Sequence, residues 1–145
     1  MGNAMHIRKC GIEDIETLTL LNKQLIEDEK SDNPMSVAEL AERMSDFLTA
    51  EYSAYFFEIG DDVVGYALVK TDCSPLYLRQ FFIARQYRRQ RLGTEAFNAL
   101  MNFLDADSID IEVLSRNEAG KRFWESCGFT EISRYMRKSR KRRVK

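Results

Sequence analysis

The spacing of apolar residues changes period several times along the chain, and each change marks a new element. Met5–Lys9 alternates and predicts a short first strand. Ile12, Ile15, Leu18, Leu21 and Leu25 then recur every three or four residues, predicting a helix over Ile12–Ile26 with Glu13 and Asp14 in the first turn, where the helix dipole favours acids. After the polar break EDEKSDNP, Ser36-Val37-Ala38-Glu39 reads as a capping box that opens a second helix. Val37, Leu40, Met44 and Phe47 share one face of that helix, which should end near Ala50. Tyr52–Ile59 and Val63–Lys70 are β-rich runs joined by Gly60-Asp61-Asp62, a hairpin signal, and Leu76–Ile83 follows Pro75 as a third strand. Leu92, Ala96, Leu100, Phe103 and Leu104 fit a third helix, and Ile109–Val113 alternates as a strand. Asn117–Cys127 predicts a last helix closed by Gly128, and Phe129–Arg137 a closing strand.

The strand–helix–strand segment from Leu76 to Val113 implies a parallel crossover, whereas the hairpins before it imply antiparallel neighbours. With no internal repeat and no long linker, 145 residues predict one domain, over residues 5–137, with residues 138–145 as a tail. A composition of 44% hydrophobic and 31% charged residues is that of a folded soluble protein. The absence of a long apolar run or a leader pattern predicts a cytoplasmic protein with no membrane partner.

The net charge of −1 hides an asymmetry: Met136–Lys145 holds seven basic residues, leaving residues 1–135 with fifteen Lys and Arg against 23 Asp and Glu. An acidic body thus ends in a basic tail. A nucleic-acid partner would rest on that tail alone and is not expected, because short terminal charge runs are usually solvated ends. Cys10, Cys73 and Cys127 are too few and too scattered for a disulfide framework or zinc site, and His6 has no second histidine or carboxylate cluster beside it. No metal is expected.

The densest chemistry lies in Arg88-Arg89-Gln90-Arg91-Leu92-Gly93, a basic and amide-rich turn between a strand and a helix. Such a turn offers unpaired backbone N–H groups and the positive end of a helix dipole, a combination suited to phosphate. This stretch resembles the pyrophosphate loop Q/R-x-x-G-x-G/A of the GNAT superfamily of acetyl-coenzyme A-dependent N-acetyltransferases, with Arg88 at the first position and Gly93 at the last. Arg91 stands where the family has its first glycine. The loop amides can still serve provided that Arg91 is not required to adopt positive φ. Asn117–Phe129 is similar to the family's second signature, N-x-x-A-x-x-F/L-Y-x-x-x-G-F, with Gly120 in the alanine slot and Trp124 in place of tyrosine.

The resemblance covers about Met5 to Arg137 and implies an α/β (α+β) GNAT fold. That fold is a mixed, mostly antiparallel sheet with about four helices, ordered β1-α1-α2-β2-β3-β4-α3-β5-α4-β6. It implies acetyl transfer from acetyl-CoA to a primary amine of a small molecule or peptide by direct attack, and it is compatible with a homodimer. The cofactor-binding residues so implied are Phe82, Ile83, Arg88, Arg89, Gln90, Arg91, Leu92, Gly93, Thr94, Asn117, Lys121, Phe123 and Trp124. Asn117 would hold the pantetheine arm, and the N–H of Phe82 or Ile83 the thioester carbonyl. Trp124 replaces the usual general acid with an indole that is no acid at neutral pH, so a proton for the leaving thiolate would come from water, Tyr87 or Tyr135. Tyr77–Ile83 contains no carboxylate, which leaves Glu112 or Glu27, Asp28 and Glu29 as candidate bases. The cluster of Glu27, Asp28, Glu29 and Asp32, with Gln80, would bind a cationic acceptor. The alternative is a catalytically silent GNAT-like CoA-binding regulatory module, which the altered Arg91 and Trp124 would permit.

Overall fold

The computed structural model describes residues 4–29, 33–88 and 91–140. The chain divides into two units, Met1–Glu112 and Val113–Lys145.

The first unit is built on a five-stranded sheet in the order β1-β2-β3-β4-β5: β1 Met5–Lys9, β2 Tyr52–Ile59, β3 Asp62–Lys70, β4 Leu76–Ile83 and β5 Ile109–Asp110. Neighbours are antiparallel except β4 and β5, which pair in parallel at Leu76–Ile109 and Tyr77–Asp110 only. Helices α1 Ile15–Asp28, α2 Val37–Thr49 and α3 Leu92–Leu104 complete the unit. Ile12–Asp14, expected as the first turn of α1, forms a separate 3-10 turn. The capping box opens α2 as expected: Ser36 Oγ accepts from the Glu39 N–H at 3.2 Å and Glu39 Oε1 from the Ser36 N–H at 2.9 Å.

Both faces of the sheet are covered, which explains why the middle of β2, Ala54-Tyr55-Phe56-Phe57, is buried without a break rather than alternating. On one face Ala54, Phe56, Tyr66, Leu68 and Phe82 pack with Leu18 and Leu21 of α1 and Met44 of α2. On the other, Tyr55 meets Phe103, and Phe81 lies between Phe57 and Phe97. Each such large side chain, when fully buried, contributes about 1.5–3 kcal/mol.

Two irregularities mark the central strands. A register shift at Phe57/Glu58 of β2 leaves Val64 as the extra residue of β3, and a second at Leu68/Val69 of β3 leaves Arg79 as the extra residue of β4. A bulge of this kind re-aims side chains. Here Arg79 lies over Phe47 of α2 while Gln80 meets Tyr66.

In the second unit, α4 spans Glu118–Ser126, capped by Asn117, whose Oδ1 accepts the Gly120 N–H at 3.0 Å. Gly128 follows at φ 99°, the positive-φ helix exit that glycine tolerates. The strand expected over Phe129–Arg137 does not form: these residues carry neither helix nor strand, and Ile132, Tyr135 and Met136 are 86–88% exposed. Ile132 and Met136 stand four apart, not two, and their unit holds no described strand to supply a ladder. β5 likewise stops at Asp110 rather than Val113, since parallel pairing depends on a neighbour that its own alternation cannot specify.

Candidate functional site

Helix α3 begins without a side-chain cap. Its N-cap residue is Arg91, at φ 59° and ψ 23° in the left-handed region, with no capping hydrogen bond. The proviso that Arg91 not be required to adopt positive φ is therefore not met: the residue in the glycine slot takes the glycine conformation, at a cost of about 1 kcal/mol. The first-turn N–H groups of Leu92, Gly93 and Thr94 have no intrahelical acceptor and no cap from the N-cap side chain among the described residues, the arrangement that receives an anion. Leu92 is buried in the core and anchors the turn, while Thr94 is exposed. Arg89 and Gln90 lie outside the described residues.

Arg88 is engaged elsewhere. Its Nε donates to Ile83 O at 3.0 Å, its Nη2 donates to Asp28 Oδ2, and the guanidinium lies 5.0 Å over the Phe82 ring. Arg85 donates to Asp28 Oδ1 at 2.9 Å and Glu27 Oε1 at 3.1 Å. The end of α1 is thus clamped to the end of β4. Partial burial opposes ionisation of Asp28, but hydrogen bonds from Arg88 and Arg85 outweigh it and hold the carboxyl below the usual aspartate range. Of the acidic cluster foreseen for the acceptor, Glu27 and Asp28 are already neutralised and Asp32 lies outside the described residues. Glu29 remains: it has no ion pair among the described residues, and partial desolvation of its carboxyl together with the charge of Asp28 raises its pKa above the ordinary glutamate value.

Because Ile83 O accepts from Arg88, the Ile83 peptide edge faces away from β3, whereas Ala84 N–H donates to Val64 O at 2.8 Å. Ladder alternation then turns the Phe82 N–H toward β3 and the Ile83 N–H outward, past the last β4–β5 pair. Close by runs a buried polar chain: Asn22 Nδ2 donates to Tyr66 Oη at 3.2 Å, and Tyr66 Oη to Gln80 Oε1 at 2.7 Å. Burial pushes the Tyr66 hydroxyl pKa up, so it is a hydrogen-bond donor and not an acid. Glu112 is exposed and hydrogen-bonds Tyr77, whose pKa is raised by burial and then by that carboxylate.

Within the second unit, Asn117 caps α4 and Lys121 is exposed. Trp124 packs edge-on against Phe123, at 4.7 Å between centroids, and Phe129, at 5.3 Å. Tyr135 is 88% exposed, touched by Arg137, in a segment without regular structure. Of the residues that a nucleophile would need, Cys10 is buried, with its thiol pushed up to about 12 chiefly by desolvation, and His6 is exposed on β1. Sequence reasoning missed Gly65, Asn22, Arg43, Tyr66 and Arg79. A glycine inside a strand signals a close approach, but the others come together only through tertiary packing.

A family model described as acetyltransferase (GNAT) domain matches residues 18–142. Among solved structures, a possible acetyltransferase from Clostridium difficile 630 is 17% identical, with 94% of this chain and 97% of that chain covered, at a TM-score of 0.78. The aminoglycoside N-acetyltransferase AAC(6')-Iy, in complex with CoA, is 16% identical over 97% of both chains, at a TM-score of 0.76. A predicted acetyltransferase from Clostridium acetobutylicum, with acetyl-CoA, is 17% identical over 93% of this chain and 96% of its own, at a TM-score of 0.71. Identities this low establish a shared fold. No curated protein matches the chain.

Proposed function

The chain belongs to the acetyltransferase (GNAT) domain family, and from that premise we propose that it transfers the acetyl group of acetyl-CoA directly to a primary amine of a small molecule or peptide. The observation that carries the proposal is the uncapped N-terminus of α3 behind a left-handed Arg91. Its donors fit a pyrophosphate, which would lie against the N–H groups of Leu92, Gly93 and Thr94. Acetyl-CoA supplies a thioester already activated toward amines. The protein's part is then to orient, to polarise and to take a proton.

In this reading the outward Ile83 N–H binds the thioester oxygen, and Glu29, the one described carboxylate at the end of α1 without an ion pair, takes the proton of the acceptor ammonium. Asn117 uses its Oδ1 on α4 and keeps Nδ2 to donate to the pantetheine arm. Water protonates the departing thiolate, since the Trp124 indole is no acid and Tyr135 is 88% exposed, with its hydroxyl accepting from Arg137. The working domain runs over residues 5–137. A cytoplasmic setting is part of the proposal and accords with three cysteines outside any disulfide.

Calorimetric titration with coenzyme A tests the phosphate site. Gly93→Val should weaken binding about tenfold or more, because a branched side chain in the first turn obstructs the approaching phosphate. Arg91→Gly should bind equally or better. Relief of its left-handed strain, about 1 kcal/mol, is offset by the greater entropy of a glycine in the unfolded chain, roughly 0.5–1 kcal/mol, so its melting temperature should barely move. Loss of binding in Arg91→Gly with a harmless Gly93→Val would replace the amide cradle by side-chain charge. Binding without thiol release from any amine would favour the silent module.

Asn117 gives an independent check. Asn117→Asp retains an oxygen to cap α4 but loses the Nδ2 donor, so coenzyme A affinity should fall with stability preserved. Asn117→Ala should also lose about 1 kcal/mol of stability with the cap. Equal affinity in the wild type and Asn117→Asp would remove Asn117 from the cofactor site.

A further inference from the structure

Arg43 of α2 and Arg79 of β4 take no part in the chemistry above, and neither has an ion pair among the described residues. That is unusual in a body where acids outnumber bases by 23 to fifteen. The two guanidinium groups share one aromatic ring: Arg43 lies 5.5 Å and Arg79 4.9 Å from the Phe47 centroid, and Arg79 also lies 5.7 Å from that of Tyr52. Helical spacing puts Arg43 and Phe47 on one face of α2, and the β4 bulge brings Arg79 to the same face of the sheet.

Arg43 is incompletely satisfied. Its Nη2 donates to Asn22 Oδ1 at 3.1 Å, yet its Nε is buried with no acceptor among the described residues. Burial and then the charge of Arg79 both disfavour its ionised form. A guanidinium used only to cover an aromatic ring would need no second cation beside it, and one serving a structural ion pair would have its carboxylate. A planar fork with a free donor next to a second fork instead matches an oxyanion. The opposite charge stands nearby: the Tyr66 hydroxyl, hydrogen-bonded to Asn22 and Gln80, lies within electrostatic reach of both Arg43 and Glu29.

We propose that Arg43 and Arg79 form a carboxylate subsite of the acceptor pocket, so that the acceptor is an amine bearing its own carboxylate, an amino acid or peptide-like zwitterion, and not a polycation. This rests on the acetyltransferase reading. The carboxylate of the acceptor meets the two arginines while its ammonium is left to Glu29.

The subsite is tested without turnover by NMR of the arginine Nε–H signals, Arg43 being identified by the signal lost in Arg43→Gln. N-acetylglycinate at millimolar concentration should shift that signal and N-acetylglycinamide should not. An unmoved signal, or one that answers to inorganic phosphate alone, overturns the proposal. In turnover, amines with a free carboxylate should exceed their carboxamide partners in kcat/KM by about tenfold or more. Arg79→Gln, at an exposed position that threatens no core packing, should erase that preference through KM and leave coenzyme A affinity unchanged, with Arg79→Lys restoring part of it. A preference that survives both Arg43→Gln and Arg79→Gln, with circular dichroism confirming folded proteins, is likewise fatal. A shifted signal with no transfer to any amine would uphold the subsite and sink the acetyltransferase reading instead.

Discussion

Gly65→Ala is expected to be among the most destabilising single-methyl changes in this chain, costing about 3 kcal/mol. A Cβ at this position would sit 2.1 Å from Phe82 O and 3.1 Å from Ile83 Cα, both backbone atoms of β4, so no side chain can swing aside to admit it. β4 would have to move where the Ile83 N–H is aimed outward, and the register between Gly65 and Ile83 would be lost with it. The check is urea denaturation, where the midpoint should fall with little change in slope. Gly128→Ala is the control: its φ of 99° disfavours a side chain, but no atom lies within 4 Å, so the cost should be limited to about 1–2 kcal/mol of backbone strain. Equal midpoints for Gly65→Ala and the wild type would mean that β3 and β4 adjust freely, which the close approach denies.

The same glycine illustrates what could be read in advance. β2, β3 and β4 were legible almost to the residue because their apolar runs are bounded by Gly60-Asp61-Asp62 and Pro75, and local chemistry decides such boundaries. The Ser36–Glu39 box announced α2 for the same reason. The failures share another cause. Residues 129–137 have the composition of a strand but no ladder to join within their unit. Asp28 looked like a free acid because Arg85 and Arg88, 57 and 60 residues away, are invisible to any local pattern. The contact of Arg79 with Phe47 depends on the β4 bulge, which no local pattern announces. Of the candidate site, the turn proposed to face the phosphate was legible as a motif, whereas the proposed acceptor side draws on α1, α2, β3 and β4 and exists only in the fold.

Glu29→Gln should separate chemistry from stability more clearly than any other change. If Glu29 takes the proton of the acceptor ammonium, its loss should lower kcat by about 10²–10⁴-fold, the usual contribution of a positioned base, while coenzyme A affinity stays constant. The pH dependence carries the signature. Desolvation and then the Asp28 charge raise the Glu29 pKa, so the wild-type kcat/KM should rise with pH through a limb above the ordinary glutamate range, and Glu29→Gln should lack that limb. Stability must move the other way. A carboxyl whose folded-state pKa exceeds its unfolded value contributes most below the unfolded pKa, and that contribution is lost as pH rises through the folded pKa. Above its folded-state pKa the ionised Glu29 is therefore a burden on the fold, and there replacing it with a neutral amide should leave the melting temperature equal or higher. A folded Glu29→Gln protein with full activity and an unaltered pH profile would return the role of base to Glu112, whose carboxylate hydrogen-bonds Tyr77. Glu112→Gln would then show the loss that Glu29→Gln did not.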